Sequence, residues 1–325
     1  MLNQYAPELA AIREFRDSID ASIVRTPVVE VPALSAASGA RVSAKLEFLQ
    51  QTGTFKARGA LAVIRALDDA QRAAGITAVS AGNHAIAAAF AARESDVDAK
   101  LVMLATASPL RVEKCREFGA ELVMAPDVHR AFELVEEIQR DEGRVFVHPF
   151  EGPRTFLGTA TVGLEMCEQA ADAEAFIVPI GGGGLCAGIA SAIKQMRPDA
   201  LVLGVEPEGA DTMTRSIEKG EACGIDKVDT IADSLGAPFA LPMGYSLCRD
   251  YVDDIVLVSD DEMRTAMRFL FREMHTAVEP ACAASTAALL GPLRDRLQGK
   301  NVVTLMCGSN VDWDTFARHS GILDS

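Results

Sequence analysis

Lys56 stands in Gln51-Thr52-Gly53-Thr54-Phe55-Lys56-Ala57-Arg58-Gly59-Ala60, just before an apolar helical run. A cation in a first helical turn opposes the helix dipole, which favours an acid there. Where its surroundings favour the neutral form, such a lysine is an amine nucleophile able to form Schiff bases. A second segment, Ser80-Ala81-Gly82-Asn83-His84, leaves a β-branched run and enters an Ala-rich one. Small residues and exposed N–H groups at a helix N-terminus suit a carboxylate, although the same pattern serves as an ordinary Ser/Asn cap. The third is Gly181-Gly182-Gly183-Gly184, before a helix starting at Leu185. Four glycines cost backbone entropy that a mere turn does not require, and they let main-chain amides wrap a phosphate. No Lys-Ser/Thr pair follows, so this is not a P-loop. The last is Cys307-Gly308-Ser309-Asn310, where a small polar side chain at a strand end can meet a heteroatom of a ligand ring.

The elements that must position these loops alternate along the chain. Strands are expected at Val42–Phe48, Thr77–Ser80, Lys100–Leu104, Glu121–Met124 and Val145–His148, and near 175–180, 201–206, 254–258 and 301–306. Helices are expected between them, among them Gly59–Ala74, Ala85–Arg93 and Val128–Glu142. The rhythm predicts an α/β fold of parallel sheets flanked by helices, with ligands at the carboxyl ends of strands.

Composition narrows the partners. With 46 acidic and 31 basic side chains among 325 residues, the net charge is −15, a field that repels nucleic acid and anionic membranes. A phosphorylated ligand must then be held by local dipoles. The seven cysteines are scattered without any C-x-x-C, which speaks for reduced thiols and a cytoplasmic location and against zinc or disulfide frameworks. Charged residues interrupt the N-terminal segment, so no signal peptide is expected. The uncharged stretch 175–193 is divided by Pro179 and the glycines, so it reads as strand-turn-helix rather than a membrane span.

One rival remains for the third loop. Gly182-x-Gly184-x-x-Ala187 fits the dinucleotide fingerprint G-x-G-x-x-G/A, with Glu206 ending the next strand 19 residues after Ala187. An NAD-dependent dehydrogenase would use it so, but that reading leaves the Lys56 and Ser80–His84 segments without a role.

In this order the four loops, with Gly204–Pro207, resemble the fold type II pyridoxal-phosphate enzymes (the tryptophan synthase β-like fold), and within them the serine/threonine dehydratase family, which includes serine racemase. That family carries S-F-K-x-R-G-A, S-A/S-G-N-H, G-G-G-G-L, G-V-E-P and S/C-G-G/S-N over essentially the whole chain. His148-Pro149-Phe150 and Ile231-Ala232-Asp233 match further landmarks. The resemblance implies a large lobe from residues 1–49 and 148–325, a small lobe from 50–147, and an active site between them. Lys56 would carry pyridoxal 5'-phosphate and later move the Cα proton. Phe55 would pack on the ring and Asn83 would bond its phenolic oxygen. Gly181, Gly182, Gly183, Gly184 and Leu185 would hold the phosphate, and Cys307 would face the pyridine nitrogen. Thr54, Ser80, Ala81, Gly82, Asn83 and His84 would hold the substrate. The implied reaction is α,β-elimination from a β-hydroxy L-amino acid of the threonine/serine type, giving a 2-oxo acid and ammonia. A homodimer is usual in the family, with an amino acid as the small-molecule partner.

Departures refine this. The racemase has a proton donor at the position of Ala81, and alanine has none to give, so one-sided chemistry is expected. Glu206 and Ala210 match two ligand positions of the racemase's divalent cation, but the third position is Thr212. With Ser325 as the last residue, the regulatory domain of biosynthetic threonine deaminases, and with it isoleucine feedback, is not expected. Phe156–Thr161, Ala232–Leu235 and Glu279–Cys282 replace commoner family sequences and put threonine itself in doubt. Another β-hydroxy amino acid, or a racemase or β-replacement reaction on the same fold, is the alternative.

Overall fold

A computed structural model of the protein describes residues 2–80 and 82–321. Ten strands form two sheets: β1 (Val28–Glu30), β2 (Arg41–Leu46), β3 (Ile76–Val79), β4 (Ala99–Leu104), β5 (Glu121–Ala125), β6 (Val145–Phe146), β7 (Ala175–Pro179), β8 (Leu201–Pro207), β9 (Asp254–Val258) and β10 (Asn301–Met306). The larger sheet has the order β1-β2-β10-β7-β8-β9 and the smaller β5-β4-β3-β6. All pairs are parallel except β1–β2. The final strand inserts between β2 and β7, with Asn301 beside Arg41 and Val302 beside Ala175. All five residues of β7 are buried, as a strand covered on both faces by helices requires.

Parallel pairing sends the carboxyl ends of β3, β7 and β10 towards one cleft, so Ser80–His84, Gly181–Gly184 and Cys307–Asn310 emerge there. One expected helix differs. Gly59–Ala74 is two helices, Lys56–Ile64 and Asp69–Ala74. Asp68 starts the second with a capping box, its carboxylate accepting from the Gln71 amide while the Gln71 side chain accepts from the Asp68 amide.

The first helical turn carrying Lys56 is anchored from below. Arg58 is fully buried and donates to both carboxylate oxygens of Glu47 at 2.9 Å and to those of Glu165 at 2.8 and 2.9 Å. Lys45 donates to Glu165 at 2.6 Å. Two cations thus balance two buried anions, and the forked guanidinium fixes orientation as well as charge.

Candidate active site

The cleft holds a cavity of about 480 Å³. Phe55, Lys56, Ser80, Gly82, Asn83, His84, Gly181 to Gly184, Leu185 and Cys307 all line it, drawn from four loops that are remote in sequence. Lys56 Nζ lies 5.3 Å from the centre of the Phe55 ring and donates to the Pro149 carbonyl at 2.9 Å. Burial among such walls disfavours the ammonium and lowers its pKa to about 8. The neighbouring imidazoles stay neutral. Burial brings His84, whose Nε2 is 2.7 Å from the Val147 carbonyl, down to about 3, and Lys56 pushes the same way. His148 falls to about 4 for the same reasons, and its Nδ1 accepts from the Phe150 and Glu151 amides.

The glycine turn is sterically obligatory. A Cβ on Gly182 would overlap the Phe150 ring, and one on Gly184 would overlap the Phe150 carbonyl. Gly183 has φ +91°, and a Cβ there would stand 2.7 Å from the Met213 methyl. The first turn of the helix Gly184–Met196 has no intrahelical acceptors for its N–H groups. Ala187, bonded to the Gly183 carbonyl, is the first amide after Ile180 with a partner among the described residues. Amides from Gly181 to Cys186 therefore form an anion cradle with the helix dipole behind it. Beneath it, Glu151 accepts from the Met243 and Gly244 amides at 2.8 and 3.1 Å.

Glu279 joins the loops. Its carboxylate is 1% exposed and accepts from Asn83 Nδ2 at 2.8 and 3.0 Å, from the Asn310 amide at 2.9 Å and from Ser234 Oγ at 3.1 Å. Burial raises its pKa, and Arg111 pulls it back. Asn310 Nδ2 bridges the Thr52 carbonyl and Asn83 Oδ1 at 2.7 and 2.8 Å. Cys307 is buried, and its closeness to Cys282 together with burial raises its pKa well above the ordinary value, so it is a neutral thiol.

Most residues singled out in the sequence meet at this cavity, with instructive exceptions. Thr54 is 1% exposed and turned inward. Its Oγ1 accepts from the Lys56 amide at 3.2 Å and its backbone bridges Gly308, so it shapes the loop without lining the cavity. Ala81 lies outside the described residues. Asn83 faces the cavity, but its amide is committed to Glu279. Arg111 and Glu279 carry much of the polar wall, and no local sequence pattern had marked the arginine.

Glu206 and Ala210 do not suit a divalent cation. Glu206 is fully buried, and its oxygens accept from the Met213 and Thr214 amides and Thr214 Oγ1 at 2.7–2.8 Å, holding the N-terminus of the helix Thr212–Lys219. Burial lifts its pKa to about 7. Ala210 is buried, and the described residues contain no group of three or more His, Cys, Asp or Glu side chains placed to hold a metal. The same observation removes the dinucleotide reading of Gly182-x-Gly184-x-x-Ala187. The acid needed at a ribose hydroxyl is Glu206, which is spent on capping a helix.

Comparison with known proteins agrees with this geometry. The family model "Pyridoxal-phosphate dependent enzyme" matches residues 19–308. A phenylserine dehydratase from Ralstonia pickettii is 52% identical over 316 residues, covering 97% of each chain. A catabolic L-threonine dehydratase of Escherichia coli K12 is 38% identical over 283 residues, 86% of each chain. The structure of maize serine racemase superimposes with a TM-score of 0.91 at 32% identity, covering 99% of this chain and 100% of that one. The chain belongs to the pyridoxal-phosphate-dependent enzymes, in the serine/threonine dehydratase branch of fold type II. Its residues fit that cofactor: the cradle that a Cβ would fill suits a phosphate, and an amine with a depressed pKa stands in the same cavity.

Proposed function

We propose that the chain is a lyase that removes water, and then ammonia, from β-hydroxy L-amino acids bearing a bulky apolar, aryl-type β-substituent. One observation carries the substrate class. Val128, Phe132 and Phe239 are 54%, 48% and 41% exposed, and all three line the cavity. With Val228, Leu235 and Pro238 they make an apolar wall that a serine or threonine side chain leaves uncovered. Apolar surface left wet at a binding site favours an apolar ligand. The relative named phenylserine dehydratase supports the same class.

Pyridoxal phosphate, once held, supplies an electron sink for the pair left at Cα when its proton departs. The protein does the rest. The amides of Gly181 to Cys186 would anchor the phosphate, and Phe55 would pack beside the ring. Lys56, freed from its Pro149 contact, takes the Cα proton at Nζ, a role its pKa near neutrality suits. Cys307, a neutral thiol, would not stabilise a protonated cofactor ring as a carboxylate would, so the sink would be a weaker one, which favours prompt loss of the β-hydroxyl. Ser80, Gly82, Asn83 and His84 border the substrate, and neutral His84 orients without competing for protons. Residue 81 is alanine and has no proton to deliver to the opposite face, so elimination rather than racemisation follows. Overall, substrate gives a 2-oxo acid and ammonia, the water lost being regained in hydrolysis.

We assign the enzyme to the cytoplasm as a homodimer. Seven free cysteines support the first, and the family likeness supports the second. The test is 2-oxo acid release from a panel of β-hydroxy L-amino acids. Phenylserine is expected to have the highest kcat/KM, and a kcat/KM for threonine or serine at or above it would refute the substrate class.

A further inference from the structure

Arg111 has no part in the chemistry above, yet it occupies the cavity wall. It lies on the helix Pro109–Glu117, between strands of the smaller sheet, and its side-chain bonds go to segments that flank the larger one. One terminal nitrogen donates to Asp233 at 2.6 Å and the other to Glu279 at 3.4 Å, while Nε donates to the Asn310 carbonyl at 3.3 Å. Among the described residues these engage three of the five N–H groups a guanidinium carries. The nitrogen facing Asp233 also overhangs the Ser80–His84 turn, since a Cβ on Gly82 would stand 2.9 Å from it. Among the described residues, Lys56 and Arg111 are the two Lys/Arg side chains lining the cavity. Arg111 is therefore the permanent cation beside the turn whose N–H groups suit a carboxylate.

The partner on that nitrogen is exchangeable. Asp233 is 57% exposed, and an ion pair open to water on one side is worth little. Glu279, by contrast, is 1% exposed and stays in place to keep the arginine oriented. We infer that Arg111 is the charged arm of the substrate-carboxylate site: the substrate carboxylate replaces Asp233 on the guanidinium edge above Gly82. The inference rests on the proposed function only in taking an amino acid as ligand, whatever its side chain. Because Arg111 is tied to both halves of the cleft, a carboxylate held there also bridges them. The planar fork suits a carboxylate in a way a lysine ammonium does not.

The test measures binding to the cofactor-loaded enzyme by calorimetry, with ligands that lack a β-hydroxyl and so cannot eliminate. L-phenylalanine is compared with its amide, and L-alanine with its amide. Wild type is expected to prefer each acid over its amide. Arg111→Gln should cut that preference at least tenfold for both pairs, the scale of a charge-assisted hydrogen bond, and Arg111→Lys should cut it less. The double variant Arg111→Gln with Asp233→Asn removes the stranded aspartate, and the preference should stay low. An arginine that merely neutralises Asp233 predicts instead that the double variant regains wild-type preference, which would overturn the assignment. Equal weakening of acid and amide by Arg111→Gln would also overturn it, because that is the mark of a structural role. Failure of the phenylalanine pair to bind more tightly than the alanine pair would refute the aryl reading and leave this inference standing on the alanine pair.

Discussion

Replacing Phe132 by alanine should convert much of the aryl preference into indifference. Phe132 follows Val128 by four positions on the helix Val128–Glu142, so both share a face, while Ala131, Val135 and Ile138 pack into the core. Removing the ring should therefore leave the fold intact. With 48% of Phe132 exposed, roughly 100 Å² of an aromatic side chain awaits cover. At about 25 cal/mol/Å² full cover is worth ~2.5 kcal/mol. A substrate ring seated on one side of it covers about half, or ~1.2 kcal/mol, which is about an eightfold effect. The assay is kcat/KM for phenylserine and for threonine, reported as their ratio in wild type and Phe132→Ala. The ratio should fall about five- to tenfold, with threonine nearly unchanged and the unfolding midpoint within about a degree of wild type. A ratio that does not move, or an equal fall for both substrates, would show that the ring meets no substrate aryl group.

Other perturbations probe the remaining parts. Gly184→Ala drives a methyl into the Phe150 carbonyl at the phosphate cradle, so cofactor affinity measured by equilibrium dialysis should drop at least tenfold, and an unchanged affinity would place the phosphate elsewhere. Lowering the Lys56 pKa to about 8 makes its neutral fraction about 10% at pH 7 against roughly 0.03% for an unperturbed lysine. Cofactor capture by the apoprotein should thus rise about tenfold from pH 6 to 7 and level off above pH 8. An inflection near 10.5 would contradict the burial argument. Arg58→Met leaves Glu47 and Glu165 buried with only Lys45 opposing them and should cost about 3–5 kcal/mol in urea unfolding. Exhaustive chelation should leave turnover unchanged, because Glu206 is already committed to a helix N-terminus, and loss of activity restored by a divalent cation would reverse that conclusion.

Short-range chemistry is legible in the sequence; long-range partnership is not. Lys56, the Ser80–His84 turn and the four glycines each carry their meaning within about five consecutive residues, and the alternation of strands and helices brought their loops to one edge. The Asn83–Glu279 contact spans 196 positions and the Arg111–Glu279 contact 168, and no periodicity encodes either. The division of the expected helix Gly59–Ala74 was detectable in principle, because Asp68-x-x-Gln71 is the acidic analogue of a capping box. Thr54 is ambiguous for a different reason. A threonine beside a reactive lysine suits a substrate contact as well as a loop-internal one, and only the bridge to Gly308 from the far end of the chain decides between them. Glu206 was ambiguous in the same way, since an acid at a strand end serves a metal, a ribose or a helix N-terminus until its surroundings are known.

The two anions that the reaction requires explain how a chain of net charge −15 works on acidic ligands. Overall charge acts over about a Debye length, roughly 8–10 Å in physiological salt, and is blunted beyond it. Recognition is settled inside that distance by partial charges on the buried side of the cleft, where the lower dielectric makes each count for more. At one end the cradle from Gly181 to Cys186 offers only main-chain N–H groups, with no basic side chain of its own, so the phosphate site needs no cation that would compete for the substrate. At the other end a single arginine, balanced by an exposed Asp233 and a buried Glu279, offers charge that the resting enzyme has already neutralised. On the proposed reading an incoming carboxylate takes the place of Asp233 on the guanidinium, and the aspartate turns to water, which screens its charge. Glu279, the carboxylate whose charge bears on Lys56, keeps its place.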